Sequence, residues 1–452
     1  MTEDRIALFG GAPALSLGAH RTWPEVTEEE KSAVMRVLDR GVLSGGNAPE
    51  ATAFEDEFAR FVGAKHAVLS HSGTSALLLA LVAAGVRAGD HVIVPAYSFV
   101  ATPLAVVQAG AIPIFADVHE DTGAIDVSEV ERMMTPRTKA IMPVHVHGHP
   151  ADMEALQRVA ARHRAVVVED AAQAHGALHK GRPVGAIGAA GAFSLQSSKN
   201  LSAGEGGVFV TNDPGLAEEA NRARNFGQDV SLSERRGFDA SRPLDGTRSL
   251  DSQFVGGMYR GNELMAAFAR AQLKRLPSRT LACQENAARL TDALGKLPGV
   301  LPPVILEGNT SVHHKFRVRL CAEKAGLDLP PRVLRDAMMA ALRAEGLEVV
   351  LWQTEPLPAQ KVFQKREGYG DGWPWTTDRE TDFSSIYAPG RFPRTRALLD
   401  GSVVLFSQSC PLIAQSRQTV DLYAEAFGRV WQQRSRIAER ARETSASPTL
   451  RG

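Results

Sequence analysis

Short apolar runs alternate with helical patterns along the first half of the chain, and this alternation constrains the fold most. The runs are Ala67–Ser70, His91–Pro95, Ile112–Phe115, Ala140–Val144 and Ala165–Glu169. Stretches of helical length stand between them, as at Ser75–Ala84 and Asp152–Arg164. Strands and helices that alternate in this way form a mostly parallel sheet with helices on both faces. The sequence therefore predicts an α/β fold.

Three features set the domain boundaries that we expect. Thr27–Glu30 predicts the start of a capped helix, and Gly261–Leu276 predicts a long one. Beyond it, Lys315–Leu320 alternates like a half-buried strand, and Pro331–Glu345 has a helical pattern. The expected division is an N-terminal arm at 1–26, a large domain at 27–268, a smaller C-terminal α/β domain at 269–442 and a disordered tail at 443–452.

Two further segments, 228–250 and 365–392, are expected to be long loops. The first is polar, and the second is rich in glycine, proline and aromatic residues. Long loops in compact enzymes often carry function. The aromatic run Gly368–Trp375 is explained equally well as a wall of an active site or as hydrophobic packing.

Composition excludes several classes of partner. Lys+Arg and Asp+Glu are balanced at 51 each, which argues against nucleic acid or an anionic membrane as the main partner. Cys283, Cys321 and Cys410 form no CxxC pair, so neither a disulfide framework nor a zinc site is expected. The N-terminus lacks the apolar stretch of a signal peptide, and no uncharged apolar run reaches about eighteen residues. These observations favour a cytoplasmic protein without a membrane segment.

One lysine and one acid point to chemistry. Lys199 stands between a strand-like segment, Ala192–Ser194, and the glycine run Gly204–Gly207, whereas Asp170 directly follows an apolar strand. A lysine amine is the side chain that binds pyridoxal phosphate (PLP) as a Schiff base, and an acid can protonate the pyridine nitrogen. A lysine held near a cationic ring would have a lowered pKa. The pair therefore predicts a PLP site.

Two segments upstream could complete such a site. Ser70–Ala76 joins a strand to a helix and contains Ser72, Gly73 and Thr74, which suit a phosphate at a helix N-terminus. Taken alone, that run is better explained as an ordinary helix cap. Phe99 follows the next strand and could lie over a flat cofactor, although a core aromatic is an equal alternative. Their functional interpretation depends on Lys199.

Two other patterns are rejected as sites. The histidines of His145–His149 alternate as metal ligands on a strand would, but the segment has no neighbouring acid or thiol, so structural histidines are expected instead. Gly185–Gly191 is glycine-rich but precedes a strand, and a dinucleotide-binding motif needs the opposite order. No metal site is expected.

Four motifs in this order resemble the DegT/DnrJ/StrS-type sugar and cyclitol aminotransferases, a family of PLP enzymes with the aspartate-aminotransferase-like (fold-type I) fold. They are Ser72–Leu77, Pro95–Thr102, Glu169–Gln173 and Ser194–Lys199 with Gly204–Gly207. The resemblance extends over nearly the whole chain. It implies a large domain with a mostly parallel central sheet, a smaller C-terminal α/β domain, and a homodimer with its active site at or near the interface.

The resemblance also implies roles for individual residues. Lys199 would hold the cofactor and move the substrate proton, Asp170 would pair with the ring nitrogen, Gln173 would touch the ring hydroxyl, and Phe99 would stack on the ring. The phosphate would be held by Ser72, Gly73, Thr74 and Ser194. Three further residues are expected near the substrate: Tyr97, Gln196 and His314.

The chain departs from the family pattern at one position. The family commonly has Gly-x-Asn-Tyr-Arg before the long helix, and the asparagine reaches the phosphate of the partner subunit. Here Gly256–Arg260 places Met258 at the asparagine position. Methionine cannot donate a hydrogen bond, so this role is not carried over.

The resemblance favours transfer of an amino group from glutamine or glutamate to a keto sugar or keto-cyclitol, in secondary-metabolite or glycan biosynthesis. Family members that dehydrate carry histidine in place of Lys199, and Gln196 resembles members that act on keto-cyclitols or make aminohydroxybenzoate. The alternatives are another PLP reaction, such as dehydration, elimination or aminohydroxybenzoate-type aromatisation, and a non-catalytic PLP-binding regulator. The sequence leaves open the acceptor and the choice between the two donors.

Overall fold

The computed structural model describes residues 5–16, 18–45, 48–229, 232 and 251–446. The α-helices in this part are α1 Glu28–Arg40, α2 Pro49–Val62, α3 Gly73–Ala83, α4 Ala101–Gln108, α5 Val127–Met133, α6 Met153–His163, α7 Pro214–Ala223, α8 Glu263–Gly295, α9 Pro331–Ala344, α10 Lys361–Lys365, α11 Phe383–Ile386, α12 Pro393–Gly401, α13 Arg417–Gln432 and α14 Arg434–Ala446. The strands are β1 His66–Ser70, β2 His91–Pro95, β3 Ile112–Ala116, β4 Thr138–Ile141, β5 Val166–Asp170, β6 Leu178–His179, β7 Arg182–Pro183, β8 Ala190–Ser194, β9 Gly207–Thr211, β10 Val300–Leu301, β11 Asn309–Thr310, β12 Phe316–Leu320, β13 Val349–Val350 and β14 Ser402–Leu405.

The central sheet has seven strands in the order β1-β9-β8-β5-β4-β2-β3. Strand β9 is antiparallel to both of its neighbours, and the remaining pairs are parallel. Every residue of β2, β3, β8 and β9 is buried, as expected for a sheet covered on both faces. The expected α/β fold with a mostly parallel central sheet is confirmed.

A second, antiparallel sheet has the order β10-β12-β14-β13 and lies in the C-terminal part of the chain. Helices α9 and α12 pack against its strand β12. The segment that leads into β12 also contributes β11, which pairs with β6. Between β10 and β12 the chain therefore leaves the small sheet and pairs with β6, which lies between the central-sheet strands β5 and β8 in sequence.

Helix α8 is longer than the sequence predicts. The expected helix spans Gly261–Leu276, but α8 continues through Pro277 to Gly295. A buried stripe, Cys283, Ala287, Leu290 and Leu294, continues at helical spacing and favours the longer helix. The expected boundary at 268/269 lies inside this helix, and the division into domains stays a prediction.

Two other expectations differ from the structure, and a third lies mostly outside the described residues. Strand β4 ends at Ile141, and Val146–Gly148 forms a short 3₁₀ helix, so His145–His149 do not alternate on a strand. Residues 443–446, expected in the tail, continue α14, whereas 447–452 lie outside the described residues. The expected loop at 228–250 lies mostly outside them too.

The segment 365–392 contains α11 and buried aromatic residues. Trp375 Nε1 donates to the hydroxyl of Tyr387 at 3.0 Å, and that hydroxyl donates to the Pro113 carbonyl oxygen on β3. Both rings belong to the main hydrophobic core. Packing against the sheet edge therefore explains these aromatics.

The N-terminal arm links distant parts of the chain. The backbone N–H groups of Ala7 and Ala14 donate to the carboxylate of Glu345, after α9, at 2.6 and 3.0 Å. The indole Nε1 of Trp23 donates to the carbonyl oxygen of Lys199 at 2.9 Å. The arm thus contacts the segment that carries Lys199.

Strand β5 is fixed by the buried carboxylate of Glu169. The backbone N–H groups of Gly185, Ile187 and Gly188 donate to it at 2.6–2.7 Å, and His145 Nε2 lies 2.9 Å away. Because Ala151 N–H donates to His145 Nδ1, the proton of this imidazole is on Nε2. Glu169 therefore accepts from four donors, and it positions the next residue, Asp170.

Glu169→Gln should destabilise the fold, because either orientation of the new amide turns an NH₂ group toward N–H donors. We expect a loss of about 2–5 kcal/mol and a fall of at least about 2 °C in the midpoint of thermal unfolding. Glu154→Gln is the matched control, because Glu154 pairs with Lys180 at the surface, and its midpoint should stay within about 1 °C. Equal shifts in the two variants would contradict this role of Glu169.

Candidate active site

A cavity of about 350 Å³ lies at the carboxyl ends of β1, β2, β5 and β8. In open α/β sheets, ligands bind at this edge. The structure brings nearly all the sequence-predicted site residues to this cavity. Its lining includes Ser72, Gly73, Thr74, Phe99, Asp170, Gln173, Ser194, Gln196, Lys199 and His314.

Ser72, Gly73 and Thr74 form the N-terminus of α3 at one side of the cavity. Ser72 caps the helix, and its Oγ accepts from Ser75 N–H at 3.1 Å. Gly73 lies so close to β8 that a β-carbon on it would stand 2.6 Å from Ser194 Cβ. The first N–H groups of a helix have no acceptor within it, so this end suits an anion.

Asp170 lies at the end of β5 and is buried. Thr102 Oγ1 donates to its Oδ2 at 2.7 Å, and Ala172 N–H donates to its Oδ1 at 3.1 Å. Burial raises the pKa of the Asp170 carboxyl, although these two hydrogen bonds and the charge of Lys199 oppose the rise. A cationic partner in the cavity would complete the neutralisation of this carboxylate.

Lys199 is carried by a tight turn after β8. Its N–H donates to the carbonyl oxygen of Gln196 at 2.8 Å. The indole Nε1 of Trp23 donates to the carbonyl oxygen of Lys199. Burial lowers the pKa of the Lys199 amine to about 8, although the charge of Asp170 opposes this shift. Roughly a tenth of the amine is therefore neutral, and nucleophilic, at pH 7, far more than for an ordinary lysine.

Gln173 and Gln196 line the cavity but also hold the backbone. Gln173 Oε1 accepts from His147 N–H at 2.8 Å. Gln196 Oε1 accepts from both the N–H and the hydroxyl of Ser198, and its Nε2 donates to Ser197 Oγ. Gln196 thus builds the turn that carries Lys199, and its expected contact with substrate stays a prediction.

His314 and Phe99 lie on other sides of the cavity. His314 Nδ1 is 3.2 Å from Asn200 Oδ1, and burial holds the pKa of its imidazole well below the ordinary value, so the ring is neutral. Phe99, in the loop after the buried strand β2, is 53% exposed, which is unusual for an aromatic side chain. Its ring is available for stacking.

Tyr97 is not among the described residues that line the cavity. It is buried, its hydroxyl lies 2.7 Å from His147 Nε2, and its ring packs edge-on against Trp352. Tyr97 therefore supports Trp352, which does line the cavity.

The structure adds residues that the sequence did not single out. Thr102 holds Asp170, and Lys315 lines the cavity just before β12. Thr102 belongs to the motif Pro95–Thr102, so the sequence could have identified it. Lys315 fits the alternating pattern of a half-buried strand, and only its burial in the structure distinguishes it from a surface lysine. The other added lining residues with polar side chains are Ser98, Ser198, Glu205 and Gln408.

In the rejected histidine cluster, His145 and His147 have hydrogen-bond partners, whereas neither ring nitrogen of the buried His149 has one among the described residues. His145 does have an acidic neighbour, contrary to expectation, because Glu169 comes from the adjacent strand. Within the described residues, no group of three or more histidine, cysteine and acidic side chains is placed to hold a metal ion. Met258, at the family's asparagine position, is half exposed and does not line the cavity.

A seven-stranded sheet with one antiparallel strand, and a cavity with a lysine and an acid at its carboxyl edge, define a fold-type I aminotransferase. The crystal structure of an aminotransferase from Psychrobacter cryohalolentis is similar, with a TM-score of 0.79 and 29% identity over 92% of this chain and 100% of that one. None of the helices in the described part of the chain is long and apolar enough to cross a membrane.

The model of the DegT/DnrJ/EryC1/StrS aminotransferase family matches residues 24–386, and the chain belongs to this family. It is 39% identical to the dTDP-3-amino-3,4,6-trideoxy-alpha-D-glucose transaminase of Streptomyces venezuelae, over 76% of this chain and 82% of the relative. It is 37% identical to the L-glutamine:2-deoxy-scyllo-inosose aminotransferase of Streptomyces fradiae, over 79% and 84%. Aminotransferases of this family depend on PLP.

The cavity fits PLP. The end of α3 offers N–H groups and hydroxyls to a phosphate, the buried Asp170 offers a negative charge to a protonated ring nitrogen, and Lys199 offers an amine with a lowered pKa. The N-terminus of α3 and the buried Asp170 line the same cavity. A ligand with an anionic group at one end and a cationic group at the other suits this arrangement.

The amine of Lys199 should react with amine-modifying reagents at unusually low pH in cofactor-free protein. Its neutral fraction, and so its modification rate, should rise with a midpoint near pH 8, as the lowered pKa requires. Mass spectrometry of the peptide that contains Lys199 measures the rate. Asp170→Asn is the control and should move the midpoint lower, because the charge of Asp170 raises this pKa. A midpoint near 10.4, that of an ordinary lysine, would contradict the account.

Proposed function

We propose that this PLP-dependent aminotransferase moves the amino group of glutamine or glutamate to a keto sugar or keto-cyclitol in the biosynthesis of a secondary metabolite or glycan. The observation that carries the proposal is the meeting of Lys199, Asp170 and the α3 N-terminus on one cavity. The relatives support the acceptor class, because one acts on a nucleotide-linked sugar and another on a scyllo-inosose.

In this proposal each residue has a defined task. When bound, PLP supplies an aldehyde that bonds to amines and a ring that withdraws electrons from the neighbouring carbon. Asp170 would pair with the protonated ring nitrogen, and Phe99 would stack on the ring. Ser72, Gly73, Thr74 and Ser194 would hold the phosphate, and Gln173 would bind the ring hydroxyl.

Lys199 is proposed as the group that moves the proton. Its amine, with a pKa of about 8, can take a proton from the substrate carbon and return it one position away. Thr102 keeps the Asp170 carboxylate oriented by its 2.7 Å hydrogen bond. The neutral His314 lines the same cavity and, with Gln196, is proposed to contact the acceptor.

The transfer is tested with a panel of keto sugars and keto-cyclitols, each assayed with glutamine and with glutamate. The wild type should form the amine of at least one acceptor. Lys199→Ala should lower the rate by at least about 10³-fold, because both the covalent link and the proton transfer are lost. Lys274→Ala, at an exposed lysine, should stay within about twofold. Amination by Lys199→Ala at the wild-type rate, or dehydration in place of amination, would refute the proposal.

We also propose a cytoplasmic homodimer with the active site near its interface. Val255 is 97% exposed, and Met258 and Phe226 are half exposed beside it, since Phe226 N–H donates to the Gly257 carbonyl oxygen. Such adjoining exposed apolar side chains favour a covered surface. The cysteines in the described part of the chain are free, which supports a reducing compartment.

Light scattering during size-exclusion chromatography should give about twice the chain mass of 48.6 kDa. A double variant, Val255→Asp with Met258→Asp, should shift the protein toward the monomer, because two charges would be buried unpaired. Leu281→Asp changes another exposed apolar side chain and is the matched control. A wild-type monomer, or a dimer unaffected by the double variant, would contradict this interface.

A further inference from the structure

Lys315 is the second lysine of the cavity, and neither the fold nor the proposed cofactor contacts explain it. It directly precedes β12 and lines the same cavity as Lys199 and Asp170. Only 5% of the residue is exposed. Lysine is rarely buried so fully unless it is paired.

The ammonium of Lys315 has no hydrogen-bond partner in the described part of the chain. Its Nζ is buried, and no acceptor from those residues lies within reach. Burial and the charge of Lys199 lower the pKa of the Lys315 amine to about 8. An unpaired buried cation is costly, so the position favours an anion that arrives with a ligand.

The structure limits where that anion can come from. The oxygens of Asp170 are already engaged by Thr102 and Ala172. Lys315 also lines a smaller pocket of about 20 Å³, which has room for about one water molecule and not for a substrate. A ligand must therefore reach Lys315 from the main cavity.

Few side chains of the cavity can carry a positive charge and bind an anion. Among the described residues that line it, the basic side chains are Lys199 and Lys315, and the neutral His314 carries no charge. An amino-acid donor brings a carboxylate bonded to the carbon that reacts. Lys199 is committed to the proton transfer. We propose that Lys315 binds the α-carboxylate of the amino-acid donor. The inference rests on the proposed aminotransferase function.

An anionic group on the acceptor, such as a diphosphate, would offer the same charge. Lys315 lies near enough to Lys199 for the two charges to interact. The donor carboxylate is one bond from the reacting carbon, whereas a sugar ring separates a diphosphate from the keto carbon. The donor therefore fits this position better.

The test compares holoenzymes that carry Lys315→Met, which removes the charge, and Lys315→Arg, which keeps it. Rapid mixing with glutamine follows the cofactor absorbance and gives the apparent Kd and the maximal rate of the donor half-reaction. Lys315→Met should raise the apparent Kd by about 10–100-fold, as for the loss of a charged hydrogen bond, and change the maximal rate less than about threefold. Lys315→Arg should recover most of the affinity.

Two truncated forms of glutamine isolate the carboxylate. Glutaramate keeps the carboxylate but lacks the amine, and calorimetry should show its binding weakened by Lys315→Met. The amine 4-aminobutanamide lacks the carboxylate, and its half-reaction should be the same in wild type and variant. If Lys315→Met does not fold, as judged by its thermal midpoint, Lys315→Gln serves as the neutral variant.

The outcomes separate the possibilities. An unchanged Kd for glutamine, or an equal loss for 4-aminobutanamide, overturns the inference. A loss confined to the acceptor half-reaction also overturns it and assigns Lys315 to the acceptor. If wild type binds glutaramate through Lys315 but transfers no amino group, the carboxylate site stands and the proposed function fails.

Discussion

The site depends on one buried interaction, the carboxylate of Glu169 bound to four N–H donors. Three of these donors lie in the loop before β8, and the fourth is His145 from the segment after β4. The carboxylate therefore locks β5 between its two neighbours in the sheet. Asp170 is the next residue, so its position relative to Lys199, which follows β8, is set by this lock. The hydrogen bonds of Glu169 thus determine where the carboxylate of Asp170 lies relative to Lys199.

The electrostatics of the cavity follow from burial. Burial raises the pKa of Asp170 and lowers that of Lys199 and Lys315. Each shift disfavours the charged form of its group, and an ion of the opposite sign nearby opposes the shift. A cofactor with a cationic ring and an anionic phosphate, and a donor with a carboxylate, supply such ions. The cavity is thus arranged to bind charged ligands.

The sequence predicts those parts of the fold and site that are local. Asp170 ends β5, Ser72–Thr74 come shortly after β1, and Lys199 lies in the turn after β8. A parallel sheet brings such strand ends together. Lys315 and the Glu169–His145 pair were missed because they depend on which distant segments meet. The helix predicted over Gly261–Leu276 is shorter than α8, because buried residues on both sides of Pro277 stabilise one continuous helix. Tyr97 lies in the right motif, but its ring packs against Trp352, which lines the cavity, and is not itself part of the described lining.

The central claim is that Lys199, and not the neighbouring Lys315, carries the cofactor. Borohydride reduction of the holoenzyme fixes the cofactor to its lysine, and mass spectrometry of the peptides then locates it. The account predicts the added group on Lys199 alone, in wild type and in Lys315→Arg. The added group on Lys315 or on another lysine of the wild type would contradict it.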